Sequence, residues 1–261
     1  KIHESFNVLN NSALDEISLG LKVYGGRIHV SEDATLPPLD SVCNFVNNLR
    51  LRTVKLKNLT QVGTFDVHAS KLETLEVPLL QSVTNLLFQS TFFESLWFSS
   101  LTVASNATFL GNTRLKVINL TSLQTVASVH LESNDILQKI ELPQLQNYTK
   151  HIRVSSLPLL KSVKLDRLHE TESLLFDCDV ASSAPTNGGI SIRGSCNLEE
   201  VTFDTLSLIY KNLTVAGYGG NLKILQLKSL KAVHGAMRFQ ENNGLEKVIA
   251  PLETAGSVWF Q

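Results

Sequence analysis

Residues 115–134 read LKVINLTSLQTVASVHLESN, with apolar side chains at Leu115, Ile118, Leu120, Leu123, Val126, Val129 and Leu131. The frame is L-x-x-I-x-L-x-x-L-x-x-V-x-x-V-x-L. It fits the chain upstream at Leu72, Leu75, Val77, Leu80, Val83, Leu86 and Phe88, and downstream at Leu137, Ile140, Leu142, Leu145, Tyr148, Ile152 and Val154. The frame begins again at Leu51, Phe93, Leu160, Leu198, Leu222 and Leu245, so successive starts lie 21, 21, 22, 22, 23, 38, 24 and 23 residues apart. A fixed period of this length marks a solenoid, and the one spacing of 38 marks an insertion.

Within each repeat the I-x-L pair and the V-x-L pair alternate apolar and polar residues with period two. That alternation belongs to strands that bury one face. Each repeat therefore supplies short strands joined by corners, and the expected fold is an all-β β-helix with a period of about 22 residues. Roughly ten turns stacked about 4.8 Å apart would make a rod some 45 to 50 Å long. A leucine-rich-repeat horseshoe has a similar period, but its hallmark Asn is replaced here by Leu59, Leu80, Leu101, Leu123, Leu145, Leu168, Leu206 and Leu230.

The repetition makes residues 1–261 one solenoid unit without a linker. Residues 1–35 form a cap and an imperfect first turn, 36–176 regular turns, 177–197 an inserted loop and 198–261 regular turns ending uncapped. Ser12-Ala13-Leu14-Asp15 carries a capping-box variant and predicts a short N-terminal capping helix over the open end of the solenoid. The sequence opens on Lys1 rather than Met and stops in the middle of a strand at Val258-Trp259-Phe260-Gln261, which implies a trimmed product of a longer protein.

The inserted loop is rich in Gly, Ser and Pro and is bounded by Cys178 and Cys196. At the edges of neighbouring turns these two cysteines are placed to form a disulfide across the loop. Cys43 lies several turns away and is expected as a buried thiol or as the partner of a cysteine outside this sequence. Six N-x-S/T sequons, at Asn10, Asn58, Asn106, Asn119, Asn147 and Asn212, favour a secreted glycoprotein. Apolar residues make up 43% and charged residues 18%, enough to fill a core, and the net charge is −1 with scattered Lys and Arg. That distribution lacks the basic footprint of a nucleic-acid or anionic-membrane binder. No apolar stretch approaches the ~18 residues needed to span a bilayer, so the segment is not transmembrane.

The stretches ATLPPLDSV, GTFDVHASKLETLEVPLLQSV, SVHLESNDILQKIELPQLQ and GAMRFQENNGLEKVIAPLETAG share a cadence of strand, N-N-x-L, x-x-I-x-x-P-x-L and x-x-V. This cadence resembles the receptor L-domain repeat of insulin- and EGF-receptor ectodomains. It looks most like the fungal branch of GPI-anchored cell-wall and sporulation-specific proteins. The resemblance covers nearly the whole chain. It implies a right-handed β-helix, an extracellular place at a cell surface or cell wall, and a lipid (GPI) anchor outside this segment. The cysteine-rich modules of animal receptors and a Ser/Thr-rich tail are both absent from the sequence.

The outward column of the first strand reads Lys55, Glu76, Trp97, Asn119, Glu141, Lys164, Thr202, Gln226 and Ile249. Trp97 stands among polar neighbours, as suits a ring that stacks on a sugar or a partner protein. The candidate binding residues are Trp97, Glu76, Glu141 and Lys164, and the bland alternative is a Trp lying under the Asn119 glycan. His130 and His151 fall on consecutive turns, but two His do not make a metal site. Asp177 and Asp179 flank a cysteine and fit turn formation, and no nucleophile elbow, phosphate-binding Gly loop or zinc-protease helix occurs. The expectation is a non-enzymatic protein without cofactor or metal that holds cell-wall polysaccharide or a surface protein and organises the wall. The alternative is a receptor-type ectodomain contacting a protein ligand through residues 180–195. A polysaccharide-active β-helix enzyme is the third option.

Overall fold

The computed structural model describes residues 6–9, 13–20, 23–31, 42–46, 50–68, 70–172, 174–177, 189–193, 196–217 and 221–260. These form an all-β solenoid of about eight turns. One turn shows how the sequence builds it. Val117–Asn119 is a short strand, Thr125–Glu132 is a long one, and the L-x-x-L corner between them closes when the Leu123 N–H donates to the Leu120 carbonyl at 3.0 Å. The same corner recurs at Leu59, Leu80, Leu101, Leu145, Leu168 and Leu230, and all of these leucines are buried. The frame position that a horseshoe gives to Asn therefore holds a core side chain.

The opposite corner follows the long strand. Six described chain reversals there use a residue in the left-handed region: Ser90, Gly111, Ser133, Ser156, Gly217 and Glu241, with φ of 52°, 60°, 54°, 55°, 72° and 54°. One residue later the side chain turns inward, as at Thr91, Asn112 and Asn134. Asn112 Oδ1 accepts from the Thr91 N–H at 3.0 Å and the Thr91 hydroxyl at 2.6 Å, and Asn112 Nδ2 donates to Asn134 Oδ1 at 3.1 Å. Buried polar atoms require such partners, and the column supplies them turn by turn. Beside it the core is aromatic. Phe88 stacks on Phe65 and Phe109 at 6.1 and 5.8 Å and meets Phe93 and Phe98 edge-on at 5.7 Å.

The long strands pair in parallel, with Thr64, Asn85, Asn106, Ser128 and His151 in one register column. Two strands enter this sheet from outside the repeat. Val42–Val46 lies between Phe6–Leu9 and Val23–Ser31, and Gly189–Arg193 lies between Asn147–Ser155 and Leu174–Asp177. On the other side of the solenoid the short strands keep step without an extra member: Glu16 pairs Thr53, and Ser162 pairs Glu200. The spans between those partners are 37 and 38 residues, so two turns are enlarged in the same way. The segment 177–197 thus carries a strand.

Two expectations are corrected. About eight regular turns stand where ten were expected, because two of the ten short-strand rungs belong to the enlarged turns. The N-terminal capping helix is absent, and no helix occurs among the described residues. Ser12 lies outside the described residues. Beyond it, Glu16–Ser18 is a strand. The Asp15 carbonyl, which a helix would bond to the Leu19 N–H, accepts instead from Arg52 and Thr53 at 2.9 and 3.1 Å, while the Leu19 N–H donates to the Lys55 carbonyl. Pairing with the next turn outcompetes one isolated helical turn, whose nucleation is costly.

Candidate functional site: a groove at a break in the short-strand sheet

The short strands do not form one sheet. They divide into Glu16–Ser18, Thr53–Lys55 and Thr74–Glu76; then Ser95–Trp97 and Val117–Asn119; then the five from Lys139–Glu141 to Lys247–Ile249. Elsewhere the residue after the strand donates to the next turn, as Leu56 does to Glu76, Phe98 to Asn119 and Leu142 to Lys164. Val77 and Leu120 lack this bond although both are buried. The bond from the N–H of Gln138 to the Lys116 carbonyl is missing too, where Lys116 bonds to Glu94 and Lys161 to Gln138. Two ladder openings result, one before Trp97 and one after Asn119.

The second opening floors a groove of about 540 Å³, within the usual ~300–1,000 Å³ of small-molecule sites. Trp97 and Val117 form its apolar wall. Trp97 is 56% exposed, and its Nε1–H donates to Ser95 Oγ at 3.1 Å, which fixes the indole against its own strand. Asn119, Thr121, Gln138, Lys139 and Glu141 supply polar atoms around the opening, and Lys116 closes one side. The Lys116 ammonium is held at 2.9 Å by Glu94, which also binds Arg114 at 3.1 Å. Lys116 and then Arg114, by hydrogen bond and charge, hold the Glu94 carboxyl below the usual carboxylate range. Arg114 lies over the exposed Phe92 ring at 5.9 Å.

The groove brings together two of the four candidate residues. Trp97 and Glu141 both line it, separated in the column by Asn119. Glu76 lies across the first opening and pairs with Lys57 at 3.2 Å, and Lys164 lies one turn beyond Glu141 and pairs with Glu200 at 3.7 Å. Val117 and Lys139 were missed because column reading follows the second outward position of each strand, whereas the groove also uses the first, and Gln138 because it precedes its strand.

The other named residues are dispersed. His130 stands in register with Arg153, not with His151, and its Nε2 lies 2.8 Å from Glu132 Oε2. Among the described residues no three His, Cys, Asp or Glu side chains gather as a metal site would need, and no helix is long and apolar enough to cross a membrane. Asn58, Asn106, Asn147 and Asn212 are exposed and Asn119 is half-buried, while Asn10 falls outside the described residues. Cys196 is disulfide-bonded. Its assigned partner Cys178, with Asp179, lies outside the described residues, and nothing is described of the Cys43 side chain.

The chain is 30% identical over 146 residues to a cell surface GPI-anchored protein of Arthroderma benhamiae. That match takes in 52% of this chain but only 37% of the fungal protein, so the chain spans well under half of the relative's length. No family model matches the sequence, and no solved structure matches it. The likeness is to a cell-surface protein, and the groove is a feature of the solenoid that a ligand could enter. Of the inserted residues 180–195, Gly189–Arg193 is paired on both edges and offers no free backbone to a partner.

Proposed function

We propose that this chain is the extracellular, non-enzymatic solenoid of a cell-wall protein of the L-domain type, carried on a lipid anchor outside the segment, and that the Trp97 groove holds wall polysaccharide. The observation that carries the reading is the exposed indole beside an opening ringed by amide, ammonium and carboxylate groups. A pyranose ring presents an apolar C–H face and an equatorial edge of hydroxyls. The first suits Trp97 and Val117; the second suits Asn119, Gln138, Lys139 and Glu141. Glycoside hydrolysis commonly needs two carboxyl groups about 5 to 9.5 Å apart. Glu141 is the single carboxylate lining this groove, which supports binding without turnover. The sequons are read as glycan sites, and Cys178–Cys196 as the bridge that anchors the inserted strand.

The test is a pull-down on insoluble glucan, chitin and mannan, using protein secreted while N-glycan synthesis is inhibited. Saturable binding to one of them is expected, weakened about tenfold or more in Trp97→Ala, with no reducing sugar released. Sugar release would make the protein an enzyme. Equal binding by wild type and Trp97→Ala would remove the groove from the function.

A further inference from the structure

Asn119 stands beside Trp97 in the ladder, one strand spacing or about 4.8 Å away, and both side chains reach the same groove. Asn119 is also the acceptor of the sequon Asn119-Leu120-Thr121. Its amide is oriented: Oδ1 accepts from the Thr121 N–H at 3.2 Å and from the Thr121 hydroxyl at 2.8 Å. With Oδ1 turned toward its own corner, Nδ2 is turned away from it and has no hydrogen-bond partner among the described residues. Other sequons differ. Asn106 Nδ2 is committed to Asn85 Oδ1 at 2.8 Å, and Asn212 Oδ1 accepts from the Ala236 N–H at 2.9 Å on the opposite sheet. Neither shares a groove with an exposed tryptophan.

We infer that the groove is regulated by the protein's own sugar: an N-linked glycan on Asn119 lays its proximal N-acetylglucosamine on the Trp97 indole and excludes external polysaccharide. The inference rests on the reading of the groove as a sugar site. In the attachment step Asn119 Nδ2 attacks the anomeric carbon of a lipid-pyrophosphate-linked oligosaccharide. A C–N bond forms, the C–O bond to pyrophosphate breaks, the lipid pyrophosphate leaves with the electron pair, and the Nδ2 proton passes to a base of the transferase. The remaining Nδ2–H stays with the new glycosidic amide. A ring attached there begins at the rim of the groove, within reach of the exposed indole face, and pays little ordering entropy because its anchor is already fixed by Thr121. Chains modified at Asn119 are closed, and unmodified chains are open.

Three readouts on secreted protein test this. Glycopeptide mass spectrometry determines whether Asn119 is modified; an unmodified Asn119 overturns the inference. Endoglycosidase trimming of the native protein compares Asn119 with a second occupied sequon. Cleavage at Asn119 is expected to be at least tenfold slower in wild type and to rise to the reference rate in Trp97→Ala. Equal rates in wild type and variant show a glycan that does not rest on Trp97, and refute the seat. Polysaccharide pull-down then compares wild type with Thr121→Ala, which removes the sequon and keeps the Asn119 side chain. Binding at least fivefold higher in Thr121→Ala supports closure by the glycan; equal, measurable binding in the two refutes it. Protection of Asn119 together with no binding by Thr121→Ala supports the seat and refutes polysaccharide as the external ligand, so the two readings fail separately.

Discussion

Asn112→Ala removes the centre of the buried polar column. The Asn112 side chain is 0% exposed and makes four hydrogen bonds. Truncation leaves the Thr91 N–H and hydroxyl without their acceptor, while the Phe88 carbonyl loses the donor that reaches it at 3.0 Å and keeps its partner in the strand ladder. Asn134 Oδ1 loses one of two donors and retains the Asn112 N–H at 3.2 Å. An unsatisfied buried group costs about 1–3 kcal/mol, so two orphaned groups sum to roughly 2–6 kcal/mol. Rotation of the Thr91 hydroxyl and entry of a water into the space should recover about half of that, leaving a loss near ~2 kcal/mol. Asn197→Ala is the control, since its Nδ2 makes a comparable bond of 2.7 Å to the Pro158 carbonyl on an exposed corner. It should cost about 0.5–1 kcal/mol, because water replaces the lost partner. The assay is guanidinium denaturation followed by circular dichroism, with hydrogen exchange at the Thr91 amide reporting the local opening. A solenoid can unfold in segments, so the exchange measurement carries the comparison. A loss below about 1 kcal/mol for Asn112→Ala, or one equal to that of Asn197→Ala, refutes the argument that burial sets the value.

Gly235→Ala should cost several kcal/mol or abolish secretion, because the added Cβ would lie 2.3 Å from the Lys211 carbonyl oxygen and 2.5 Å from Asn212 Oδ1, both close to rigid backbone. Gly111→Ala meets nothing nearer than Ser90 Oγ at 3.6 Å and should cost only the left-handed conformation, about 1–2 kcal/mol by thermal melting. Raising pH should weaken two surface contacts. The Glu16 hydrogen bond raises the Lys55 pKa and the Glu170 hydrogen bond raises that of Tyr210, so their stabilisation is complete below the unfolded values and is lost as pH climbs through the folded ones. Lys55→Met and Tyr210→Phe should each flatten the melting profile above about pH 10, where both groups ordinarily titrate. Glu94 has the opposite sign: its depressed pKa gives stabilisation above the ordinary carboxylate value that disappears as acid takes pH through the folded value, and Glu94→Gln should remove that limb.

The regular turns were legible because each apolar position of the frame answers to one core contact. Leu115, Leu120, Leu123, Val126, Val129 and Leu131 are all buried. Ile118 is the exception. It is only half-buried and stands at the ladder opening. The opening itself left no mark in the sequence, since Ile118 and Ile140 satisfy the template equally while the lost bonds belong to the backbone. Trp97 and Glu141 were legible as outward residues of one column; that they share a groove depended on where the ladder parts. The absent helix follows from the same limit. Ser12-Ala13-Leu14-Asp15 carries a local signal, whereas the Asp15 carbonyl is claimed by Arg52 and Thr53, 37 and 38 residues further on.

The inserted segment offers the sharpest contrast between local and long-range reading. Its composition reads as loop, and a loop accommodates substitution at small cost. Yet Gly189–Arg193 contains the alternation Ile190-Ser191-Ile192, and both isoleucines are buried in the core beside Ile152 and Val154 on one strand. In the backbone register, Ile190 also pairs with Leu174, and Ile192 with Phe176, on the other strand. Ile192→Ala should therefore cost about 2–4 kcal/mol, the range for a fully buried branched side chain, and Ile192→Asp should prevent folding or secretion. A loop residue would show less than about 0.5 kcal/mol in the same denaturation experiment, and that result would remove the strand from the sheet. The strand also has a geometric consequence. It widens the long-strand side by one spacing of about 4.8 Å while Ser162 and Glu200 remain adjacent on the short-strand side. Over a sheet separation of about 10 Å this wedge turns the stacking direction by roughly 25°. Val42–Val46 inserts between strands in the same sense near the N-terminus, between partners 37 residues apart. Small-angle scattering of a variant shortened to a 22-residue turn by deletion within 177–197 should show a straighter particle of the same fold. An unchanged profile would mean that the corners, rather than the stacking direction, absorb the extra strand.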